Sequence, residues 1–231
     1  MRYYSFGYSW AFLAFTLVLH LNTSKVVAAD ETPKKVIDVD VYYETLCPDS
    51  KRWMQRQLRE LDDEIKNHIR LNLVPYGKAS QYFDEDKNQW FFSCQHGPEE
   101  CEGNKAHGCV FHAIKNGESA NEVQSLSQTF VVCAMATRST VNECINRLSI
   151  SEKTKNSINS CIAGPLADEL FAENGKKTAA LNPSLSFVPT IVINGVYTPE
   201  NQNKAFNNFS KLLCDNLQEG PKPAACAVNK Q

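Results

Sequence analysis

The chain has 231 residues, 42% of them apolar and 22% charged, which is enough to bury the core of one domain carrying an insertion. Its 24 basic and 26 acidic residues leave a formal charge of -2. No block of one sign stands out, which argues against nucleic acid or an anionic membrane as partner.

Residues 1–29 read as a cleaved secretory signal peptide. Arg2 gives a positive start, residues 11–21 are apolar, and Val27-Ala28-Ala29 offers small side chains before Asp30. The apolar stretch is shorter than the ~20 residues of a spanning helix, and no later segment is long and apolar enough, so no membrane span is expected. Residues 30–231 are expected to form a single domain made in an oxidising compartment.

Residues 36–43 are β-branched and aromatic, alternate through their middle, and predict a strand. Leu46-Cys47-Pro48-Asp49-Ser50 follows, with proline suited to a first helical turn. A sulfur at a helix N-terminus is favoured as the thiolate. Met54, Leu58, Leu61 and Ile65 then recur at helical spacing, predicting an amphipathic helix over residues 51–69. Residues 69–76 alternate and predict a second strand, which completes a βαβ unit with Cys47 at its turn.

From 77 to about 108 periodicity fades and a loop-rich segment is expected. Helices are predicted over 121–138, 141–148, around 158–162, and over 165–174 with a stop at Gly175. Residues 184–197 return to β character, with Asn194-Gly195 as a hairpin signal. Thr198-Pro199-Glu200 reads as a helix start, followed by Phe206, Phe209, Leu213 and Leu217 on one face. The proline-containing stretch 220–225, within a tail of about 218–231, reads as exposed.

Nine cysteines fall beyond the signal: Cys47, Cys94, Cys101, Cys109, Cys133, Cys144, Cys161, Cys214 and Cys226. In a secreted chain they are expected to pair, and an odd count leaves one over. Cys47 is the natural remainder, with the other eight in four disulfides; a free Cys226 linking to another chain is the alternative. Eight cysteines allow about 105 pairings, so the connectivity stays open. Asn208-Phe209-Ser210 is a glycosylation sequon, and the sequon at Asn22 should leave with the signal.

The order β-α-β, helical insertion, then β-β-α resembles a thioredoxin fold carrying an insert. The fold class expected is α/β, thioredoxin-like, with a disulfide-stapled, mainly helical insertion over about 77–180. The resemblance implies a cis Pro189 after Val188, with backbone lying against the active-site sulfur and pairing with the substrate chain. It becomes specific at Cys94-Gln95-His96-Gly97-Pro98-Glu99-Glu100-Cys101-Glu102-Gly103-Asn104, continuing through His107 to Cys109. This matches the signature C-Q-H-G-x-x-E-C-x-x-N-x-x-x-x-C of the gamma-interferon-inducible lysosomal thiol reductase (GILT) family.

A zinc reading of Cys94, His96, Cys101, His107 and Cys109 ranks below stapling, because the secretory route oxidises such thiols. Neither metal nor cofactor is expected. Gly97 and Gly103 are read as permitting turns, and His96 and Asn104 as holding a loop by hydrogen bonds. Lining of a substrate groove by His96 and Glu100 is the lesser reading.

The resemblance implies reduction of disulfides in proteins entering acidic endosomes and lysosomes: a thiolate attacks, and a second cysteine resolves the mixed disulfide. Here Cys47 keeps the attacker and Ser50 replaces the resolver, while Asp49 sets a negative charge near the sulfur. Three functions therefore compete. A non-reducing, secreted GILT-like protein that binds a protein partner ranks first, because the resolving thiol is missing. A monothiol oxidoreductase acting on disulfide-containing protein substrates, with an external thiol as resolver, ranks second. Lasting capture of a partner by an intermolecular disulfide through Cys47 is third. The expected location is extracellular, with endosomes or lysosomes as the alternative.

Overall fold

In a computed structural model of the protein, residues 1–3, 36–217 and 222–228 are described. The expected signal peptide lies, apart from its first three residues, outside them. The account below concerns residues 36–217 and 222–228. No helix among the described residues is long and apolar enough to cross a membrane.

Strand β1 (Ile37–Tyr43) is the centre of a three-stranded sheet. It runs parallel to β2 (Ile69–Pro75) and antiparallel to β5 (Thr190–Ile193), in the order β2-β1-β5. Alternation decides its faces. Ile37, Val39, Val41 and Tyr43 are fully buried in the main core with Trp53, Met54, Leu58, Ile65, Phe209 and Leu213. Tyr42 turns to the opposite face and packs with Val74 and Val192. Asp38 is held at the surface by Arg70, whose Nη2 donates to Oδ2 at 2.8 Å.

The helix expected over 51–69 is broken. Helix α1 (Pro48–Trp53) passes into a π-helical segment (Met54–Leu58), and α2 (Asp63–Lys66) starts anew. The apolar spacing held, since Met54, Leu58, Leu61 and Ile65 are all buried. Asp62 ended the continuity: its side chain accepts the Glu64 N–H and caps a new helix.

The segment expected to be loop-rich holds a two-stranded hairpin, β3 (Ser80–Asp84) with β4 (Gln89–Ser93), and then the longest described helix, α3 (Pro98–Gly117). Its helical signal was masked because α3 buries polar side chains, Glu100, Asn104 and His107, where apolar ones would mark a face. Helices α4 (Val123–Ala134), α5 (Val141–Asn146), α6 (Glu152–Ile162) and α7 (Leu166–Ala179) complete the insertion. Their core with α3 contains Val110, Ile114, Phe130, Ile145 and Ile158. Helix α7 runs through Gly175 instead of stopping there.

The β signal over 184–197 gives one strand, β5. Asn194 and Gly195 turn with positive φ, 51° and 73°, but only an isolated bridge joins Ile193 to Val196. The following helix is two: α8 (Pro199–Asn207) and α9 (Phe209–Asn216), separated at Asn208. Phe206, expected on the buried face, is partly exposed. The tail is not simply exposed either: α10 (Ala225–Val228) carries Cys226 into the main core, bonded to Cys214 of α9.

Candidate active site

The chain leaves β1 at Tyr43 and enters α1 at Pro48, so four residues, Glu44 to Cys47, make the turn. Cys47 is the N-cap residue of α1, with φ -62° and ψ 123°, and its carbonyl accepts the Lys51 N–H at 3.0 Å. Its thiol is unpaired and only 7% of the residue is exposed. Sγ lies 3.8 Å from the Val188 carbonyl oxygen, and the Val188–Pro189 bond is cis. The motif cysteine and Val188-Pro189, 141 residues apart, are thus in contact.

Ser50 is fully buried one turn into α1, where its Oγ accepts the Glu44 N–H at 3.4 Å. It braces the turn from inside. A hydroxyl, with its very high pKa, does not attack a sulfur-sulfur bond, so Ser50 itself cannot release a mixed disulfide. Asp49 points outward and pairs with Arg52 Nη1 at 2.7 Å. That guanidinium offsets the charge which the sequence set against the sulfur; the pair is exposed and worth little to stability.

The turn is clamped by α3. Thr45 N–H donates to Asn104 Oδ1 at 3.0 Å, and Thr45 Oγ1 donates to the Glu100 carbonyl at 3.3 Å. Gly103 allows this approach: a Cβ there would stand 2.5 Å from Thr45 Oγ1. It sits within α3 rather than at the turn expected for it, whereas Gly97, with φ 90°, is the N-cap of that helix. His96 N–H donates to Glu100 Oε1 at 3.1 Å, and its Nδ1 lies 2.6 Å from Glu100 Oε2. Burial, to which the Glu100 charge adds, holds the Glu44 carboxyl above its ordinary range despite a hydrogen bond from the Lys78 N–H.

One turn further along α3, the Tyr43 hydroxyl and His107 Nδ1 share a hydrogen bond of 2.8 Å inside the core. Burial lowers the His107 pKa to about 3, so the ring is neutral. Glu100, Asn104 and His107 of the signature are therefore polar props beneath the Cys47 turn, and they sit on a helix instead of the expected loop.

Beyond the sulfur, Gln202 of α8 secures the other wall. Its Nε2 donates to the Pro189 carbonyl at 3.0 Å and its Oε1 accepts the Ile191 N–H at 2.8 Å. Trp53 Nε1 donates to the Ala205 carbonyl at 2.9 Å, tying α1 to α8. Sequence reasoning missed Gln202 and Glu44. Gln202 leaves no pattern in sequence, whereas Glu44, a carboxylate closing an apolar strand just before the cysteine motif, was a readable anomaly.

The other eight cysteines form four disulfides: Cys94–Cys101, Cys109–Cys161, Cys133–Cys144 and Cys214–Cys226. Cys94, Cys101 and Cys109 thus offer no thiolate to a metal. Asn208 is exposed, and its Oδ1 accepts the Lys211 N–H at 2.9 Å, leaving Nδ2, the atom a glycan takes, outside that bond.

Known proteins resemble this chain in sequence and in fold. Residues 38–148 match the family model described as gamma interferon inducible lysosomal thiol reductase (GILT). A protein of Carassius auratus named gamma-interferon-inducible lysosomal thiol reductase is 33% identical over 190 residues, covering 82% of this chain and 72% of the relative. A gamma-interferon-inducible lysosomal thiol reductase-like protein of Anopheles gambiae is 31% identical, over 82% of this chain and 80% of its own. Among solved structures, DsbA of Chlamydia trachomatis superposes with a TM-score of 0.50 at 14% identity, covering 81% of this chain and 91% of that one. This likeness gives the fold, thioredoxin-like of the DsbA kind. With that fold, the matched family model and relatives a third identical over most of both chains, the chain belongs to the gamma-interferon-inducible lysosomal thiol reductase (GILT) family.

Proposed function

We propose that this chain is a monothiol member of its family, which exchanges its Cys47 thiol with disulfides of protein substrates and depends on an external thiol for release. The observation that carries this reading is the position of the sulfur: unpaired, at the N-cap of α1, 3.8 Å from the Val188 carbonyl. In the first step the Cys47 thiolate attacks a substrate disulfide. A new sulfur-sulfur bond joins Cys47 to one substrate sulfur, the old bond breaks, and the second substrate sulfur leaves as a thiolate. A small external thiol, of the cysteine or glutathione type, then attacks the mixed disulfide and regenerates Cys47. A second equivalent completes the change: one substrate disulfide becomes two thiols, and two external thiols become one disulfide.

The sequence placed non-covalent binding of a protein partner first. That reading keeps one observation in its favour, the 7% exposure of Cys47, which leaves a folded substrate little sulfur to reach. On either reading the chain works along the secretory route, outside the cell or in endosomes and lysosomes, and several relatives are named lysosomal. Glycosylation at Asn208 belongs to the same proposal.

The test is reduction of insulin by dithiothreitol or cysteine with wild type, Cys47→Ala and Ser50→Cys side by side. Slow turnover by wild type, its loss in Cys47→Ala and a gain of about tenfold or more in Ser50→Cys are expected. Equal turnover by wild type and Cys47→Ala would leave the non-covalent role standing and the monothiol role refuted.

A further inference from the structure

Where the strand β1 runs into the cysteine turn, three side chains from two parts of the chain converge. Glu44 comes from the turn, His96 from the segment before α3, and Glu100 from the first turn of α3. A ligating atom of each lies within 4.8 Å of the others. His96 Nδ1 is 2.6 Å from Glu100 Oε2 and 3.4 Å from Glu44 Oε2. Both glutamates are fully buried, while the His96 side chain is 34% exposed and gives the cluster its one face to solvent.

Each carboxylate spends one oxygen on the backbone. Glu44 Oε1 accepts the Lys78 N–H at 2.7 Å, and Glu100 Oε1 accepts the His96 N–H at 3.1 Å. The remaining oxygens both face Nδ1, which carries one hydrogen at most. Glu44 Oε2 is buried without any hydrogen-bond partner. Two buried carboxyl groups share one imidazole, and a buried polar atom left without a partner is costly. A divalent cation cancels both carboxylates with the ring neutral, and it gives the orphan oxygen a partner.

We propose that Glu44, His96 and Glu100 form a binding site for one divalent transition-metal ion, Zn²⁺ in the first instance. Imidazole nitrogen with carboxylate oxygen suits zinc or its first-row neighbours, while Ca²⁺ and Mg²⁺ prefer oxygen alone. Bonds of ~2.0–2.1 Å in a tetrahedron set ligands roughly 3.3 Å apart. The His96–Glu44 separation already has that value, and the His96–Glu100 contact must open by roughly 0.7 Å, which the partly exposed ring can follow. Solvent completes the coordination on the His96 side. The set uses none of the cysteines that first raised a zinc reading. It is also independent of the thiol chemistry: the ion would tie Glu44 to the start of α3 and so fix the turn that carries Cys47.

The experiment is calorimetric titration of the metal-stripped mature chain with ZnCl₂ at pH 7, with MgCl₂ as control and a thermal melt of every protein. Cys47→Ala runs alongside, since a free thiol is itself a zinc ligand. The proposal expects one saturable zinc site, unchanged in Cys47→Ala, absent with magnesium, and weakened about tenfold or more in Glu44→Gln and in His96→Ala. His96→Ala alters a partly exposed side chain and decides the matter if Glu44→Gln melts in its metal-free state. Loss of zinc binding in Cys47→Ala, undiminished binding in folded His96→Ala, or no saturable binding by wild type would overturn it.

Discussion

Replacing His107 with glutamine tests whether the buried props beneath the Cys47 turn make the fold acid-sensitive. In the native chain burial depresses the His107 pKa to about 3, from the 6.5 of a free ring. A depressed folded pKa means that the unfolded chain takes up the proton first. The stability is therefore complete above about pH 6.5 and is lost progressively as pH falls toward 3. Each pH unit in that window costs about 1.4 kcal/mol, so the fall from pH 7 to pH 5 removes about 2 kcal/mol. This figure holds even if the folded pKa is as high as about 4, since at pH 5 the unfolded ring does nearly all the titrating. It is a large share of the roughly 5–15 kcal/mol of a typical domain.

Glutamine keeps an acceptor for the Tyr43 hydroxyl and loses the ring packed edge-on to Phe130, at 4.9 Å between centroids. At pH 7 the variant should be less stable by about 1–3 kcal/mol. Urea unfolding at pH 7, 6 and 5, with disulfides intact, should show that deficit shrinking by about 2 kcal/mol at pH 5. Glu44, whose raised pKa acts in the opposite sense, is present in both proteins and cancels in the difference. A deficit constant across pH would refute the reasoning, because His107 would then be protonated in the fold or bonded otherwise.

Two further substitutions address the walls of the site. Gln202→Ala leaves the Pro189 carbonyl and Ile191 N–H unpaired in the core; a loss of about 1–3 kcal/mol is expected in urea unfolding. The rate of Cys47 alkylation should change with it, and an unaltered rate would show that Gln202 does not position the Val188-Pro189 segment. Gly103→Ala drives a methyl to 2.5 Å from Thr45 Oγ1 and should cost about 1–3 kcal/mol. Adding Thr45→Ala should relieve part of that cost, so additive losses in the double variant would refute the close contact as its source.

The sequence was legible where apolar periodicity and special backbone positions carry the signal. β1 and β2 followed from alternation, and the N-cap place of Cys47 followed from proline at the next position. It became illegible where polar groups are buried. Helix α3 went unseen because Glu100, Asn104 and His107 take positions that apolar residues would otherwise announce. The breaks at Asp62 and Asn208 were hidden for a related reason: each caps the helix that follows it while the apolar spacing runs on unbroken. Gln202 could not be found at all, since its role depends on Pro189 and Ile191 being brought to it by tertiary structure.

The same props explain why Ser50 can be treated as a change of chemistry more than of architecture. The sulfur is placed by Thr45 on Asn104, by Trp53 on Ala205 and by Gln202 on Pro189. None of these bonds involves position 50. The Ser50 side-chain hydrogen bond, in which Oγ accepts the Glu44 N–H at 3.4 Å, is long and is the kind a sulfur can also accept. A cysteine there needs room for a slightly larger atom in a fully buried place, a small overpacking beside a framework that is otherwise complete. Under the monothiol proposal, a shortfall in turnover relative to a dithiol enzyme would lie in the second step alone. The attacking step rests on Cys47 and its supports, which is why turnover in Ser50→Cys reports on the scaffold and turnover in the wild type reports on the external thiol.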